Sequence, residues 1–303
     1  MGGIRLYEEP IPNIDGIIVY FSKTPSDIVC PHFWELRWAF GCPFDCAYCY
    51  LQGTGRGNKS PRYRPVGKVL DALRKAFKHQ YFVNHPSIFN SGELSDSLMN
   101  PANMKQIAEL FETQNKHKLL LLTKAHNVEW LSERRREQTI VSFSLNATEV
   151  WRKWERGASP PQQRISAAKE LMKSGYEVRV RIDPIIPIND WKVHYEDLIY
   201  SVFSEFSSEL NRITLGTPRG LAKTLIFAKD RSWEQTAFTD KPEHTGWGKK
   251  APTQLRKEIY LFFYDRLGNL GYGKSKISLC KETETMWKEL SVDPQQAKCN
   301  CVW

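Results

Sequence analysis

The sequence predicts an α/β protein in which helices cover a mainly parallel sheet, and three observations support this fold class. β-rich runs alternate with helical segments from about residue 33 to residue 216. Residues 119–122 are four consecutive leucines, which is typical of a buried strand. The intervening segments repeat apolar residues at helical intervals. Six strand–helix units can be traced between an N-terminal extension over residues 1–32 and a C-terminal extension over residues 221–303.

Seven short runs have the composition of strands. One lies in the N-terminal extension, at residues 17–21. The other six are the strands of the predicted parallel sheet and lie at residues 33–38, 87–90, 118–122, 140–145, 177–182 and 212–215. Because parallel strands need crossover connections, we expect a helix outside the sheet between successive strands.

Three of the helical segments have recognisable signals. Two show apolar stripes, which are formed by Val69, Leu70, Leu73 and Phe77 and by Met104, Ile107, Leu110 and Phe111. The third is predicted from its ends: Ser159 is an N-cap residue, Pro160 suits the first turn, and Gly175 ends the helix.

The composition predicts a cytoplasmic protein. The 303 residues are 41% hydrophobic and 25% charged, and no apolar run approaches the length of a membrane span. Residues 1–5 lack the features of a signal peptide. Seven cysteines in a reducing compartment indicate metal or redox chemistry and not disulfides. The net charge of +9 favours a nucleic-acid or nucleotide partner, although the basic residues are scattered along the chain.

The most specific motif is the aromatic loop of residues 41–50, in which Cys42, Cys46 and Cys49 have C-x₃-C-x₂-C spacing. Three thiolates on one loop can hold three corners of a cubane iron–sulfur cluster and leave the fourth iron open. Ferredoxins use C-x₂-C-x₂-C, and structural zinc would need a second pair of ligands near the first. The spacing therefore favours a cluster that is open to a small molecule.

This loop resembles that of the radical SAM superfamily. The resemblance implies a [4Fe–4S] cluster on Cys42, Cys46 and Cys49 that cleaves S-adenosylmethionine to methionine and a 5′-deoxyadenosyl radical. It also implies a partial (β/α)₆ radical SAM barrel over residues 33–220, with the cysteine loop at its C-terminal mouth. An external electron donor of the flavodoxin or ferredoxin type would be a partner.

Residues 34–188 further resemble the spore photoproduct lyase branch of that superfamily. The resemblance rests on an ordered set of motifs: Cys46-Ala47-Tyr48-Cys49-Tyr50-Leu51-Gln52, Ser95-Asp96, Leu122-Thr123-Lys124, Phe143-Ser144-Leu145-Asn146, Glu155-Arg156-Gly157-Ala158-Ser159-Pro160, Arg164-Ile165 and Gly175-Tyr176. That branch repairs a methylene-bridged thymine dimer in DNA. It therefore implies hydrogen abstraction from a nucleobase-like substrate.

The same resemblance implies roles for single residues. Ser95, Lys124, Ser144 and Asn146 match polar positions around S-adenosylmethionine, whose carboxylate, ammonium and ribose need such partners. Taken one at a time, they could equally be strand-capping serines or a surface lysine. Tyr48 and Tyr50 match tyrosines that the family links to radical relay, and the alternative is aromatic packing around the cluster.

One position departs from the family pattern. Spore photoproduct lyases carry a hydrogen-donating cysteine just before the Ser-Asp pair, whereas this chain has Glu93 and Leu94 there. Glu93 is instead expected to hold the ammonium group of S-adenosylmethionine. The departure predicts different chemistry or a different substrate.

Four cysteines remain, and four thiols can fully ligate an auxiliary cluster. Cys280, Cys299 and Cys301 lie near the C-terminus, and Cys30 precedes the first barrel strand. The alternatives are structural zinc and unligated thiols. Cys30 is expected toward the opposite end of the barrel from the other three.

Other residues allow further expectations. On the strand at residues 177–182, alternation places Arg179, Arg181 and the following Asp183 on one face, as an internal ion pair or a ligand contact. Four aromatic residues of the C-terminal extension could stack on a base or belong to the core, namely Trp233, Trp247, Tyr260 and Tyr264.

Two other functions remain open. One is a radical SAM enzyme acting on a small metabolite or modified nucleoside. The other is a non-catalytic iron–sulfur or zinc protein that binds nucleic acid.

Overall fold

The structure, a computed structural model, describes residues 10–206, 210, 212–239 and 241–303, without the side chain of Glu205. The first five residues, on which the signal-peptide expectation rests, lie outside the described residues. None of the described helices is both long and apolar enough to cross a membrane.

The described residues contain fourteen strands. In chain order they are β1 (Ile18–Phe21), β2 (Ile28–Val29), β3 (Phe33–Leu36), β4 (Ala39–Phe40), β5 (Arg62–Tyr63), β6 (Ile88–Asn90), β7 (Lys118–Thr123), β8 (Thr139–Leu145), β9 (Glu177–Ile182), β10 (Ile213–Leu215), β11 (Glu243–Thr245), β12 (Gly248–Lys250), β13 (Ile277–Leu279) and β14 (Glu282–Thr283).

Twelve α-helices accompany these strands in the described residues. They are α1 (Leu51–Thr54), α2 (Val66–Lys78), α3 (Gln80–Asn84), α4 (Pro101–Phe111), α5 (Glu129–Ser132), α6 (Thr148–Trp154), α7 (Pro161–Lys173), α8 (Trp191–Phe206), α9 (Ala222–Phe227), α10 (Ser232–Ala237), α11 (Thr253–Asn269) and α12 (Glu284–Glu289).

Eight strands form one sheet in the order β1-β3-β6-β7-β8-β9-β10-β13. β1 is antiparallel to β3, and every other neighbouring pair is parallel. Within the described residues the edge strands β1 and β13 do not pair with each other, so the sheet is a partial barrel. The α/β fold class and the partial barrel are thus confirmed.

The six predicted barrel strands correspond to β3, β6, β7, β8, β9 and β10, with ends that differ by at most two residues. The predicted N-terminal strand is β1. β13 was not predicted. It belongs to the C-terminal extension but adds a seventh parallel strand beside β10, with Thr214 opposite Ser278.

The start of α7 differs from the prediction. The helix begins at Pro161, and Pro160 occupies its N-cap position. The assignment of Ser159 as N-cap is wrong, because its Oγ lies 2.7 Å from His126 Nδ1 instead of capping the helix. Gly175 does end the helix region, in the left-handed conformation at φ +81°.

Aromatic side chains join the helices to the sheet. Phe77 of α2 packs edge-to-face on Phe111 of α4 at 5.2 Å between ring centroids. Phe89 of β6 lies 5.6 Å from Phe111. Phe89 and Phe111 are fully buried, and burial of one such side chain stabilises the fold by about 1.5–3 kcal/mol. This core holds the strands that carry the candidate site.

Candidate active site

A cavity of about 300 Å³ opens at the carboxyl ends of the parallel strands. Its walls come from the loops after β3 and β6, the ends of β7, β8 and β9, and the segment after β13. Ligands of α/β proteins bind at this end of the sheet. Ten predicted site residues line the cavity together, namely Cys42, Cys46, Tyr48, Cys49, Tyr50, Glu93, Ser95, Lys124, Ser144 and Cys280.

The backbone holds the cysteine loop in place at its first residue. Gly41 has a φ of +89°, and a Cβ there would lie 2.6 Å from the carbonyl oxygens of Lys59 and Ser60. Glycine is therefore required by both conformation and space. The next residue, Cys42, donates its backbone N–H to Lys59 O at 2.8 Å.

The three loop thiols fit an iron–sulfur cluster. All three are free, and electrostatic interactions connect each with the others. Burial raises the pKa of Cys46 to about 12, so metal binding has to displace its proton. Across residues 10–206, 210, 212–239 and 241–303, no three His, Cys, Asp or Glu side chains converge tightly enough for a single metal ion. A cluster does not require that, because each thiolate binds a different iron.

Glu155 organises the charges on one side of this loop. It is fully buried and accepts hydrogen bonds from Tyr48 Oη, from Lys124 Nζ at 3.0 Å and from Arg164 Nη2 at 2.5 Å. Burial alone would raise the pKa of the carboxyl, but Lys124 and Arg164 outweigh burial and lower it well below its usual range. Lys124 also lies 5.7 Å from the centre of the Tyr48 ring.

Asp96 fixes the loop after β6 against the end of β7. Its carboxylate accepts the backbone N–H of Lys124 at 2.7 Å and the hydroxyl of Thr123 at 2.8 Å. The preceding residue, Ser95, donates its hydroxyl to Ser91 O at 3.3 Å. These contacts hold the backbone of two cavity-lining residues, Ser95 and Lys124.

Ser144 and Asn146 lie at the end of β8 but in different surroundings. Ser144 lines the cavity, and its carbonyl accepts a bond from Arg164 Nη1 at 2.8 Å. Asn146 is fully buried and is not among the lining residues. Its amide donates to Pro184 O at 2.9 Å, and its carbonyl oxygen accepts from Tyr195 Oη at 2.8 Å. Its direct contact with a cofactor stays a prediction.

Tyr50 and Glu93 meet the C-terminal extension on the opposite side. Tyr50 Oη donates to the backbone carbonyl of Glu93. The Glu93 carboxylate pairs with Lys281 Nζ at 3.2 Å. That lysine lies 4.8 Å from the centre of the Trp247 ring and 5.9 Å from that of Tyr50. One ion pair therefore connects the barrel to the extension at the cavity wall.

The four aromatic residues of the extension divide into two groups. Trp233 and Trp247 line the cavity. Tyr260 and Tyr264 do not, so of the two alternatives the core position applies to them and stacking on a base does not. Tyr260 is fully buried and donates to Glu282 Oε2 at 2.7 Å, and Tyr264 belongs to the hydrophobic core.

The inner face of β9 carries the predicted row of charges. Arg179 donates to Asn300 O at 2.7 Å, and Arg181 donates to Cys301 Sγ at 2.9 Å. Asp183 lies 3.9 Å from Arg181 but forms two shorter bonds with Arg219, at 2.8 and 2.9 Å. The expected internal ion pair is present, with a residue from outside the strand as the nearer partner.

The four cysteines outside the loop come close to one another, with Cys30 and Cys280 at the mouth and Cys299 and Cys301 in the barrel interior. β2 pairs with β14, with Val29 opposite Glu282, and this pairing brings Cys30 alongside Lys281. Cys280 itself lines the cavity. The expectation that Cys30 lies toward the opposite end is wrong, because the pairing of β2 folds the N-terminal extension back onto the mouth.

Sequence reasoning missed several residues that line or support the cavity. Arg219 and Lys281 follow short strands in segments without periodicity. Glu155 begins the motif at residues 155–160, which was a signal for its position, but its partners Lys124 and Arg164 come together only in the fold.

A family model described as spore photoproduct lyase matches residues 32–216, which is more than half of the chain. The chain therefore belongs to the spore photoproduct lyase family.

Curated relatives agree with this assignment. The spore photoproduct lyase of Bacillus subtilis (strain 168) is 31% identical over 170 residues, covering 54% of this chain and 49% of that protein. The spore photoproduct lyase of Clostridium acetobutylicum is 26% identical over 173 residues, covering 55% and 50%. The chain spans about half the length of the curated relatives it matches.

Solved structures share the fold. A spore photoproduct lyase complexed with dinucleoside spore photoproduct superposes with a TM-score of 0.68 at 20% identity, covering 81% of this chain and 75% of that one. Streptococcus suis SuiB superposes with a TM-score of 0.52 at 14% identity, covering 82% and 48%. At these identities the likeness concerns the fold alone.

Proposed function

We propose that this protein is a radical SAM enzyme that abstracts hydrogen from a nucleobase-like substrate. The observation that supports it best is that three thiols of one loop line a cavity together with polar residues suited to S-adenosylmethionine. Cys42, Cys46 and Cys49 would hold a [4Fe–4S] cluster. When bound, the cluster supplies the electron that cleaves S-adenosylmethionine to methionine and a 5′-deoxyadenosyl radical. That electron would come from an external donor of the flavodoxin or ferredoxin type.

Each polar group of S-adenosylmethionine can be assigned to a cavity residue of complementary chemistry. Lys124 would bind its carboxylate and Glu93 its ammonium group, because each has the opposite charge. The hydroxyls of Ser95 and Ser144 suit the ribose diol. Asn146, which is buried outside the cavity lining, would support these residues. Both charged residues already have partners, Glu155 and Lys281, which hold the two side chains at the cavity wall.

Three facts support a nucleobase-like substrate. Solved structures of spore photoproduct lyase bind dinucleoside spore photoproduct, and one of them also binds AdoMet. Trp247 lines this cavity, is partly exposed and has a ring on which a base can stack, whereas Trp233 is fully buried. The net charge of +9 attracts phosphates.

All seven cysteines are free thiols, which is consistent with the reducing cytoplasm as the location.

The test is formation of 5′-deoxyadenosine. The protein is reconstituted anaerobically with iron and sulfide, then reduced with dithionite in the presence of S-adenosylmethionine. We expect 5′-deoxyadenosine from the wild type and at least a hundredfold less from Cys46→Ala, because a thiolate of the cluster is lost (about 3 kcal/mol or more in the barrier). Thr54→Ala is the control: this exposed residue lies just past the loop and outside the cavity.

Failure of the wild type to form 5′-deoxyadenosine, despite a full cluster, would overturn the proposal. It would favour the non-catalytic iron–sulfur protein instead. Formation of 5′-deoxyadenosine without turnover of nucleic acid or dinucleotide would retain the radical SAM enzyme and overturn only the substrate class.

A further inference from the structure

The four cysteines outside the loop converge beside the cavity, although they come from three distant parts of the chain. Cys30 follows β2, Cys280 follows β13, and Cys299 and Cys301 belong to the last residues. Cys280, Cys299 and Cys301 are each 5% exposed, and all four are free thiols. No predicted role in binding S-adenosylmethionine uses any of them.

Residues 298–303, the C-terminal tail, enter the barrel interior, where Asn300 anchors them. Its side chain donates to Ser142 Oγ at 3.0 Å and to Val180 O at 2.9 Å, and accepts from Thr214 Oγ1 at 2.9 Å. Its carbonyl accepts from Arg179 at 2.7 Å. Because Asn300 lies between Cys299 and Cys301, these bonds to three strands fix the backbone on both sides of it.

The other two cysteines are held by strand pairing. Cys280 donates its backbone N–H to Leu215 O at 2.7 Å, which continues the pairing of β13 with β10. Cys30 lies alongside the neighbouring Lys281 through the pairing of β2 with β14. Electrostatic interactions link Cys30 to Cys301 and Cys280 to Cys299, and the side chains of Cys299 and Cys301 are hydrogen-bonded to each other, so the four thiols form one connected group.

Arg181 is the cation within this group. It is 8% exposed, its Nη2 donates to Cys301 Sγ at 2.9 Å, and it interacts electrostatically with Cys280 and Cys299. Its Nε is buried without an acceptor among the described residues. A buried guanidinium group with an unused N–H is costly unless a negative group accompanies it. The nearest carboxylate, Asp183, lies 3.9 Å from Arg181 but is bonded more closely to Arg219. One carboxylate therefore faces two buried cations, and the surroundings require further negative charge and one more acceptor.

We propose that Cys30, Cys280, Cys299 and Cys301 bind a second [4Fe–4S] cluster and that Arg181 donates hydrogen bonds to it. Four thiolates give such a cluster a net negative charge, which balances the buried cation, and its sulfur atoms accept N–H bonds. Among the described residues no three of these side chains converge closely enough for a single zinc ion. A cluster suits wider spacing, because its ligands bind separate iron atoms.

The site would lie directly against the proposed substrate cavity. Arg181 and Cys280 belong to the proposed cluster site and also line the cavity. Their neighbours Asp183, Arg219 and Lys281 line the cavity as well. A cluster there could exchange electrons with a group bound in the cavity, and it would also attach the C-terminal tail to the barrel.

The test is the metal content of the full chain. After anaerobic reconstitution, we expect about eight iron and eight sulfide per chain in the wild type. The triple variant Cys42→Ala/Cys46→Ala/Cys49→Ala should retain half of that content and keep a cluster absorption and EPR signal. Loss of all iron in this variant, or zinc in place of iron, would overturn the proposal. Neither result depends on cleavage of S-adenosylmethionine.

Arg181 provides a second readout in the same triple variant. Arg181→Gln should lower the reduction potential of the remaining cluster, because it removes a positive charge and an N–H donor that favour the reduced form. Arg62→Gln is the matched control, since Arg62 is an exposed arginine that does not line the cavity. An unchanged reduction potential in Arg181→Gln would show that Arg181 does not donate hydrogen bonds to the cluster, and it would overturn that part of the proposal.

Discussion

At the scale of single residues, Glu155 determines how charge is arranged around the cysteine loop. Its carboxylate is fully buried and binds Lys124, Arg164 and Tyr48, which come from three different segments. Removal of one partner from a buried ion pair leaves the other charge uncompensated. The two cations therefore depend on Glu155 more than the carboxylate depends on either one.

Glu155→Gln should lower the free energy of unfolding by about 3–5 kcal/mol at neutral pH, because the buried Arg164 and the partly buried Lys124 lose their counter-charge. The folded pKa of Glu155 is lowered, so its contribution is present above the ordinary carboxyl pKa of about 4.3 and is lost as the pH falls. Chemical denaturation of both proteins at pH 7 and pH 3 checks this: the difference should shrink at low pH. Glu133→Gln, in an exposed pair with Lys105, is the control and should leave the midpoint almost unchanged.

An equal midpoint for Glu155→Gln and wild type at pH 7 would contradict the role of Glu155 as the shared counter-ion.

The cysteine spacing could be predicted at this scale because three ligands within eight residues form a local pattern. The role of Glu155 could not, because 31 residues separate it from Lys124 and only the barrel brings the two together.

At the scale of elements, the site depends on contact between the cysteine loop and the segment after α6. Gly157 donates its backbone N–H to Phe44 O at 2.8 Å, and Ala47 donates to Trp154 O at 2.8 Å. A Cβ on Gly157 would lie 2.8 Å from Phe44 Cα, which is backbone and cannot rotate away. The loop therefore keeps its position only with a glycine at this point.

Gly157→Ala should displace the cysteine loop and reduce the iron bound at Cys42, Cys46 and Cys49 at least twofold. Absorbance of the reconstituted protein near 400 nm, about the range of iron–sulfur charge transfer, and chemical iron analysis check this outcome. Gly67→Ala is the matched control, since nothing lies within 4 Å of a Cβ there and alanine favours the helix α2. Equal cluster content in both variants would show that the close contact does not position the loop.

The elements also show which part of the fold was predictable. The six barrel strands are short but alternate with long amphipathic helices, and this alternation is a strong signal. β13 has three residues, as β6 and β10 do, but the helix before it, α11, has almost no amphipathic stripe and a 3₁₀ helix at Lys274–Lys276 lies between them, so the alternation signal is missing. The C-terminal tail forms no helix or strand, and its place inside the barrel rests on the side-chain bonds of Asn300.

At the scale of the whole molecule, charge and the cavity together set the expected class of substrate. The net charge of +9 favours polyanions, whereas a cavity of about 300 Å³ admits a small group beside a cofactor. The two fit together if a base enters the cavity while its phosphate backbone contacts the surface, as in enzymes that take a base out of the stack. A small metabolite or nucleoside would use the cavity alone.

The salt dependence of binding separates these substrates. A labelled 20-nucleotide DNA should lose affinity at least tenfold, about 1.4 kcal/mol, between 50 and 200 mM salt, because bound phosphates release counter-ions. A thymine dinucleotide, with one phosphate, should change far less over the same range. Fluorescence anisotropy of both ligands with the reconstituted protein measures the two slopes. If the long DNA shows no greater salt dependence than the dinucleotide, the substrate is a small molecule and the net positive charge has no part in recognising it.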